Sequence, residues 1–222
     1  MWLDRLNLLV DIDKLKDKTV LIVGIGGVGG YALEAIARSG INNIIIVDND
    51  VVDITNLNRQ IISNLNNVGC KKIEVAKERV LGINKECNIV AYDLFLDDKN
   101  IYNIIDNHQI DYIIDACDTM IVKKELIRIS KKRNIKLIAS MGTANKMHPE
   151  KLEITDIRKT EYDPVAKIIR KMVKDEKING KVMCVCSKEV PIKNNKLGSN
   201  AFVPATAGLL LASYVINDIV GD

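Results

Sequence analysis

The sequence predicts the α/β class: a doubly wound, mainly parallel sheet with a mixed-sheet extension toward the C-terminus. Three observations predict it. Short β-branched apolar runs alternate with segments of helical period from residue 19 to residue 139, the pattern of strands linked by crossover helices. Ile, Val and Leu supply the apolar surface while aromatics make up only 4% of the chain, which suits strands buried on both faces. A cluster of glycines falls where the first such strand meets the first such helix.

Each element follows from its own residues. The run 19–23, bounded by Lys18 and Gly24, reads as a buried strand. Residues 28–39 carry Ala, Leu and Ile at helical spacing and stop at Gly40, a natural helix C-cap. A second buried strand at 44–47 ends in Asp48. A helix over 68–83, a strand at 89–92 and a short helix at 100–106 follow. Next come a strand at 112–115, a helix at 121–133 and a strand at 136–139. Beyond Gly142 the regularity weakens, with a strand at 152–157, a helix at 164–173, a strand at 182–186 and a closing helix at 205–219. No internal repeat or low-complexity linker interrupts the chain, so residues 1–222 are expected to form one domain.

Composition excludes several classes. With 47% apolar and 27% charged residues the chain is globular rather than disordered. A net charge of +3 does not by itself indicate a nucleic-acid binder. The five cysteines, Cys70, Cys87, Cys117, Cys184 and Cys186, are odd in number and lack C-x-x-C spacing, so neither a disulfide framework nor a four-cysteine zinc site is expected. The start Met1-Trp2-Leu3-Asp4-Arg5 is unlike a signal peptide, and the apolar stretch 208–216 is too short to span a bilayer. A cytoplasmic location without a membrane partner is the expectation.

Gly24-Ile25-Gly26-Gly27-Val28-Gly29 matches G-x-G-x-x-G directly between a strand and a helix. Glycines there permit a tight turn and close approach to phosphate, and the helix N-terminus offers free N–H groups. That context makes the fold Rossmann-like and the loop a nucleotide site. Asp48 lies about twenty residues on, where an acidic side chain accepts from ribose hydroxyls. Neither feature separates NAD from ATP. Arg59 and Lys72 do bear on it, because a triphosphate needs positive charge beyond the glycine loop. Each alone reads more readily as a solvated surface cation.

Taken together, the glycine loop, Asp48, Asn56-Leu57-Asn58-Arg59-Gln60, Val68-Gly69-Cys70-Lys71-Lys72 and Asp115-Ala116-Cys117-Asp118 resemble the ThiF-type, ubiquitin-activating-like adenylating superfamily. Met141-Gly142-Thr143-Ala144-Asn145-Lys146, Asp156-Ile157-Arg158-Lys159-Thr160, Asp163-Pro164-Val165-Ala166 and the segment 198–204 are similar to a branch of it that acts on threonylcarbamoyladenosine in tRNA. The resemblance implies ATP as the activating substrate, with Gly24, Gly26, Gly27, Gly29 and Asp48 around the nucleotide, Asn56 near the phosphates, and Arg59 and Lys72 on them. It implies Mg2+ positioned by Asp118, and it admits a monovalent cation (Na+ or K+) for which no decisive ligand set stands out. It further implies a tRNA substrate, a homodimer in which Arg5 reaches the partner's triphosphate, and a possible sulfur-transfer or redox partner protein.

The implied chemistry is transfer of a threonyl carboxylate to the α-phosphorus of ATP, then ring closure by the neighbouring carbamoyl group. Intramolecular attack is entropically cheap and requires no enzyme nucleophile. His108 and His148 read as surface residues, and Cys184, on an alternating strand, as a small buried one. On the helix 164–173, Val165, Ile168, Ile169, Met172 and Val173 share one face, opposite Lys167, Arg170, Lys171 and Lys174. That basic face reads either as solvated or as a phosphate binder. Three rival readings stand beside this one: adenylation of a ubiquitin-like or sulfur-carrier protein, an NAD-dependent oxidoreductase, and a non-catalytic nucleotide-sensing scaffold.

Overall fold

The computed structural model describes residues 2–221. Two short helices come first, α1 (Asp4–Asn7) and α2 (Asp13–Lys16). The alternation then runs β1 (Thr19–Val23), α3 (Gly29–Arg38), β2 (Asn43–Asp48), α4 (Lys72–Ile83), β3 (Asn88–Asp93), α5 (Ile101–Asn107), β4 (Tyr112–Asp115), α6 (Met120–Arg133) and β5 (Lys136–Ser140). The rest comprises β6 (Leu152–Asp156), α7 (Pro164–Asp175), β7 (Met183–Ser187) and α8 (Phe202–Val220).

The seven strands form one sheet in the order β3-β2-β1-β4-β5-β7-β6. All neighbours are parallel except β6 and β7, which run antiparallel at one edge. The doubly wound sheet with a mixed extension is therefore the observed fold. Strand order reverses between β1 and β4, and at such a switch point the loops leaving adjacent strands diverge to open a crevice.

Period-two alternation sorts the core into two layers. Val20 and Ile22 of β1 face α2, α3, α4 and α8. Leu21 and Val23 face α5 and α6. A third cluster seats α7 on β5 and β7 through Ala166, Ile169, Met172, Val173, Ala139 and Cys184. Each fully buried Ile or Leu contributes about 1.5–3 kcal/mol.

The layer beneath β1 depends on one close approach. A Cβ on Gly208 of α8 would lie 2.2 Å from the Val28 carbonyl oxygen and 2.9 Å from Ala32 N. Only glycine lets α8 press this tightly on the start of α3.

Two expectations need correction. The helix expected over 68–83 begins at Lys72, because the preceding residues are pinned as extended chain and turn. Gly69 N donates to the Val52 carbonyl, Val52 N donates to the Cys70 carbonyl, Val51 bridges Lys71, and Gly69 holds φ at 90°. On α7, Ile168 is 44% exposed instead of sharing the buried face. At 100° per residue Ile168 falls outside the arc occupied by Ala166, Ile169, Met172 and Val173, the residues that pack into the core.

Candidate nucleotide site

The loops leaving β1, β2 and β4 enclose a cleft of about 630 Å³. Gly24, Gly26 and Gly27 line it, and Gly29 does not. Gly29 serves the turn: a Cβ there would lie 1.8 Å from the Gly24 carbonyl oxygen, so α3 starts directly on the back of the loop. Asp48 lines the wall at the end of β2. It accepts from Ile25 N at 2.7 Å and from Asp50 N at 2.8 Å. A carboxylate has about four acceptor sites, so two backbone bonds leave room for ribose hydroxyls.

The cationic wall comes from the segment after β2. Asn56 is buried and forms a capping box with Asp53, its Oδ1 accepting from Asp53 N at 3.1 Å. That box fixes the single turn that presents Arg59, whose Nη1 donates to the Thr55 carbonyl and to Asn58 Oδ1, both at 2.8 Å. Lys72 is buried at the start of α4, and its Nζ donates to Asp50 Oδ2 at 2.7 Å. Gln60, buried on the cleft wall, has an Oε1 with no hydrogen-bond partner among the described residues.

The opposite wall rises from β4. Asp118 is exposed to the cleft and has no hydrogen bond or ion pair among the described residues. The position capping α6 belongs to Thr119, so Asp118 is free for another task. Beneath it, Asp115 and Lys123 form a fully buried pair at 2.8 Å, with Lys123 Nζ also donating to the Ser140 carbonyl at 3.0 Å. Burial opposes the Lys123 charge, and the Asp115 carboxylate outweighs it, holding the ammonium above its usual pKa. Cys117 lines the cleft, but burial, and then the Asp115 charge, push its thiol well above the ordinary range. That environment disfavours the thiolate, the form in which a cysteine attacks.

Thr143 and Ser199 complete the far rim. Asn58 Nδ2 donates to the Ser199 carbonyl at 3.0 Å, Gly198 N to Asn145 Oδ1 at 2.6 Å, and Asn200 Nδ2 to the Lys146 carbonyl at 2.7 Å.

The structure thus brings Gly24, Gly26, Gly27, Asp48, Asn56, Arg59, Lys72 and Asp118 to one cleft. Arg5 is exposed on α1 and does not line it. Neither histidine does: Nε2 of His108 meets the Tyr92 hydroxyl at 2.7 Å, and Nδ1 of His148 meets Glu150 at 2.9 Å. Cys184 is fully buried and its thiol is raised by burial. Sequence reasoning missed Asp50, whose signal was a second acidic residue just past Asp48. It also missed Lys123, which stood among the apolar positions Val122, Leu126 and Ile127 of α6. An arrangement of two positioned cations, one carboxylate without a hydrogen bond or ion pair among the described residues, and no triad is suited to holding phosphates and redirecting charge, not to covalent catalysis by a side chain.

Residues 7–219 match the ThiF family. The chain is 40% identical over 230 residues to the tRNA threonylcarbamoyladenosine dehydratase of Bacillus subtilis, covering 95% of this chain and 90% of that one. It is 36% identical over 198 residues to the enzyme of that name from Escherichia coli, covering 86% and 74%. Among solved structures, the E. coli tRNA N6-threonylcarbamoyladenosine dehydratase in complex with ATP superposes with a TM-score of 0.88 at 34% identity, over 94% of this chain and 88% of that one.

Proposed function

Since the chain belongs to the ThiF family, we propose that it dehydrates threonylcarbamoyladenosine in tRNA, using ATP to adenylate the threonyl carboxylate. One observation carries the reading: Arg59, Lys72 and an unpartnered Asp118 share a cleft with the glycine loop, in a chain so similar to dehydratases of that name. The residues 1–222 act as one adenylating domain.

In the first step a carboxylate oxygen bonds to the α-phosphorus of ATP. The bond from that phosphorus to its bridging oxygen breaks, and pyrophosphate leaves with the electron pair. Arg59 and Lys72 neutralise charge on the departing phosphates, and Asp50 holds the Lys72 ammonium in position. Asp48 accepts from the ribose hydroxyls, and Gly24, Gly26 and Gly27 let backbone N–H groups approach the phosphates. Gly29 supports that loop from behind, and Asn56 holds the turn that carries Arg59.

In the second step the carbamoyl group attacks the activated carbonyl carbon. The ring closes, a proton is released, and AMP leaves with the former carboxylate oxygen. The product is lighter by one water. The cleft supplies proximity rather than a nucleophile.

The donor set fits magnesium. Among the described residues, Asp118 is the cleft carboxylate that makes no hydrogen bond or ion pair, and no three His, Cys, Asp or Glu side chains converge as a metal group. Mg2+ is commonly held by one or two carboxylates plus phosphate oxygens, and when bound it offsets phosphate charge.

The same reading extends to a twofold homodimer in which Arg5 serves the partner's cleft. Arg5 lies outside its own cleft with no bonded partner among the described residues. Near it in sequence Trp2, Leu8 and Leu9 are 53%, 85% and 80% exposed, apolar side chains that a second copy would cover. Dependence on ATP and tRNA sets the reaction in the cytoplasm. Helix α8 is long and apolar enough to cross a membrane, yet it is packed against α3 within the core.

The test is mass spectrometry of nucleosides from tRNA incubated with the protein and ATP. Conversion of threonylcarbamoyladenosine to a species lighter by one water, with AMP formed in equal amount, is the expected result. Unchanged nucleosides with an active protein preparation would overturn it.

A further inference from the structure

Helix α7 carries a row of cations for which the reaction above has no use. Asp163 caps it, accepting from Ala166 N at 2.8 Å, and Ala166, Ile169, Met172 and Val173 fasten one side. Lys167, Lys171 and Lys174 are all exposed on the other side. At 100° per residue they fall within about 60° of one another. None of the three side chains has a hydrogen bond or ion pair among the described residues. Nearby charges are engaged elsewhere: Glu176 by Arg128 at 2.7 and 2.9 Å, and Arg170 by the Thr160 carbonyl and hydroxyl. Asp175 lies one turn from Lys171 without pairing to it. Lys167 and Lys171 are spaced i, i+4, and like charges so placed cost an isolated helix a few tenths of a kcal/mol, so that pair does not serve the helix.

The start of the helix is tied to the cleft rim. Asp163 accepts from Gly142 N at 3.3 Å, while Lys146 Nζ donates to Asp163 Oδ2 and to the Gly142 carbonyl, each at 2.6 Å. This pair is fully buried, and Thr143, the next residue, lines the cleft. The N-terminus of α7 is therefore bolted to the cleft rim. From there the three ammonium groups lead away, at about 6, 12 and 16 Å of helix rise.

We propose that this face of α7 is an RNA-binding surface, with Lys167, Lys171 and Lys174 neutralising phosphates of the strand that leads away from the nucleotide held in the cleft. The inference rests on the tRNA reading above. Charge complementarity selects RNA backbone: three unpaired cations in line, beside a cleft that must receive one nucleotide of a long polyanion. Such interactions position the strand without reading its sequence.

The experiment compares K167Q/K171Q/K174Q with a control, K77Q/K85Q, whose exposed lysines lie in and beside α4 at the opposite end of the sheet. Labelled tRNA binding and steady-state dehydration are measured from about 50 to 200 mM salt. The triple variant should raise Kd and KM for tRNA about tenfold or more at the low end and leave kcat unchanged. Its slope of log Kd against log salt should shrink by roughly 2–3, at about 0.7–0.9 for each phosphate that loses its cation. The control should stay within about twofold. An unchanged Kd and slope in the folded triple variant overturns the surface, as does an equal loss in the control or a wild type that binds no tRNA at low salt. If wild type dehydrates tRNA and the triple variant matches it, the surface fails and the reaction stands. If wild type binds with the lysine-dependent slope but removes no water, the reaction fails and the surface stands.

Discussion

Lys123→Met is the sharpest test of how the cleft floor is built. The side chains of Lys123 and Asp115 are 1% and 0% exposed, and their charges meet at 2.8 Å. Methionine matches the lysine stem but leaves the Asp115 carboxylate buried and uncompensated, with the Ser140 carbonyl also losing its donor. Removing one partner of a buried pair costs about 3–5 kcal/mol. For a chain of this size each kcal/mol moves Tm by about 2–4 °C, so Tm should fall by about 6–20 °C. Lys123→Met with Asp115→Asn should recover much of that loss, because a buried amide costs less than a buried unpaired charge. The direction in pH follows from Asp115 holding the Lys123 ammonium above its usual pKa. Such a group adds stability that is complete below its unfolded value of about 10.4 and is lost as pH rises through the folded value. The Tm gap between wild type and Lys123→Met should therefore be constant near neutrality and close under strongly alkaline conditions. Urea and thermal melts of the three proteins decide the matter. A single variant within about 1 kcal/mol of wild type, or a double variant no better than the single, would refute the reasoning.

Other outcomes follow from the cleft. Arg59→Ala and Lys72→Ala should each lower ATP-dependent dehydration by about a hundredfold or more, measured by AMP release; near-normal rates in both would remove the adenylation site. Asp118→Asn should abolish most turnover yet leave Tm within about 1 °C, since a solvated, unbonded side chain contributes little to stability; full activity would exclude it as the metal ligand. Gly208→Ala should be destabilised by about 1–3 kcal/mol or more in a denaturant melt, because its Cβ would overlap the Val28 carbonyl at 2.2 Å; a neutral effect would show that α8 can shift away from α3. Mixing inactive Arg5→Ala and Arg59→Ala proteins should partly restore activity if Arg5 acts across a twofold dimer. No recovery, with subunit exchange independently verified, would confine Arg5 to its own chain or to the surface.

The strands were legible because parallel strands buried on both faces appear as unbroken β-branched runs. Thr19–Val23 and Tyr112–Asp115 match to the residue. Helix starts were less so. The start of α4 is decided by backbone bonds from 50–52 to 69–72, pairings that no local pattern contains. Helices α1 and α2 span four residues each, too few for a period to show. In the site, residues adjacent in sequence motifs were legible as a set, whereas pairings were not. Asp50 reaches Lys72 across 22 positions, and Lys123 sits beside Lys124 in what looks like an ordinary solvated charge run. Arg170 looked like one more free cation of the α7 row, and only the fold shows it bound to Thr160.

The seat of Gly208 against Val28 also bears on the order in which this molecule can become competent during synthesis. The phosphate loop is translated within the first thirty residues, but its supporting helix α3 is braced by a segment made about 180 residues later. At ribosomal speeds of roughly 5–20 residues per second that is a delay of about ten seconds or more. Until α8 docks, Val28, Ala32 and Ile36 lack their covering layer, and the loop in front of them has no rigid back. A nascent chain therefore carries its nucleotide motif long before the helix behind that motif is braced.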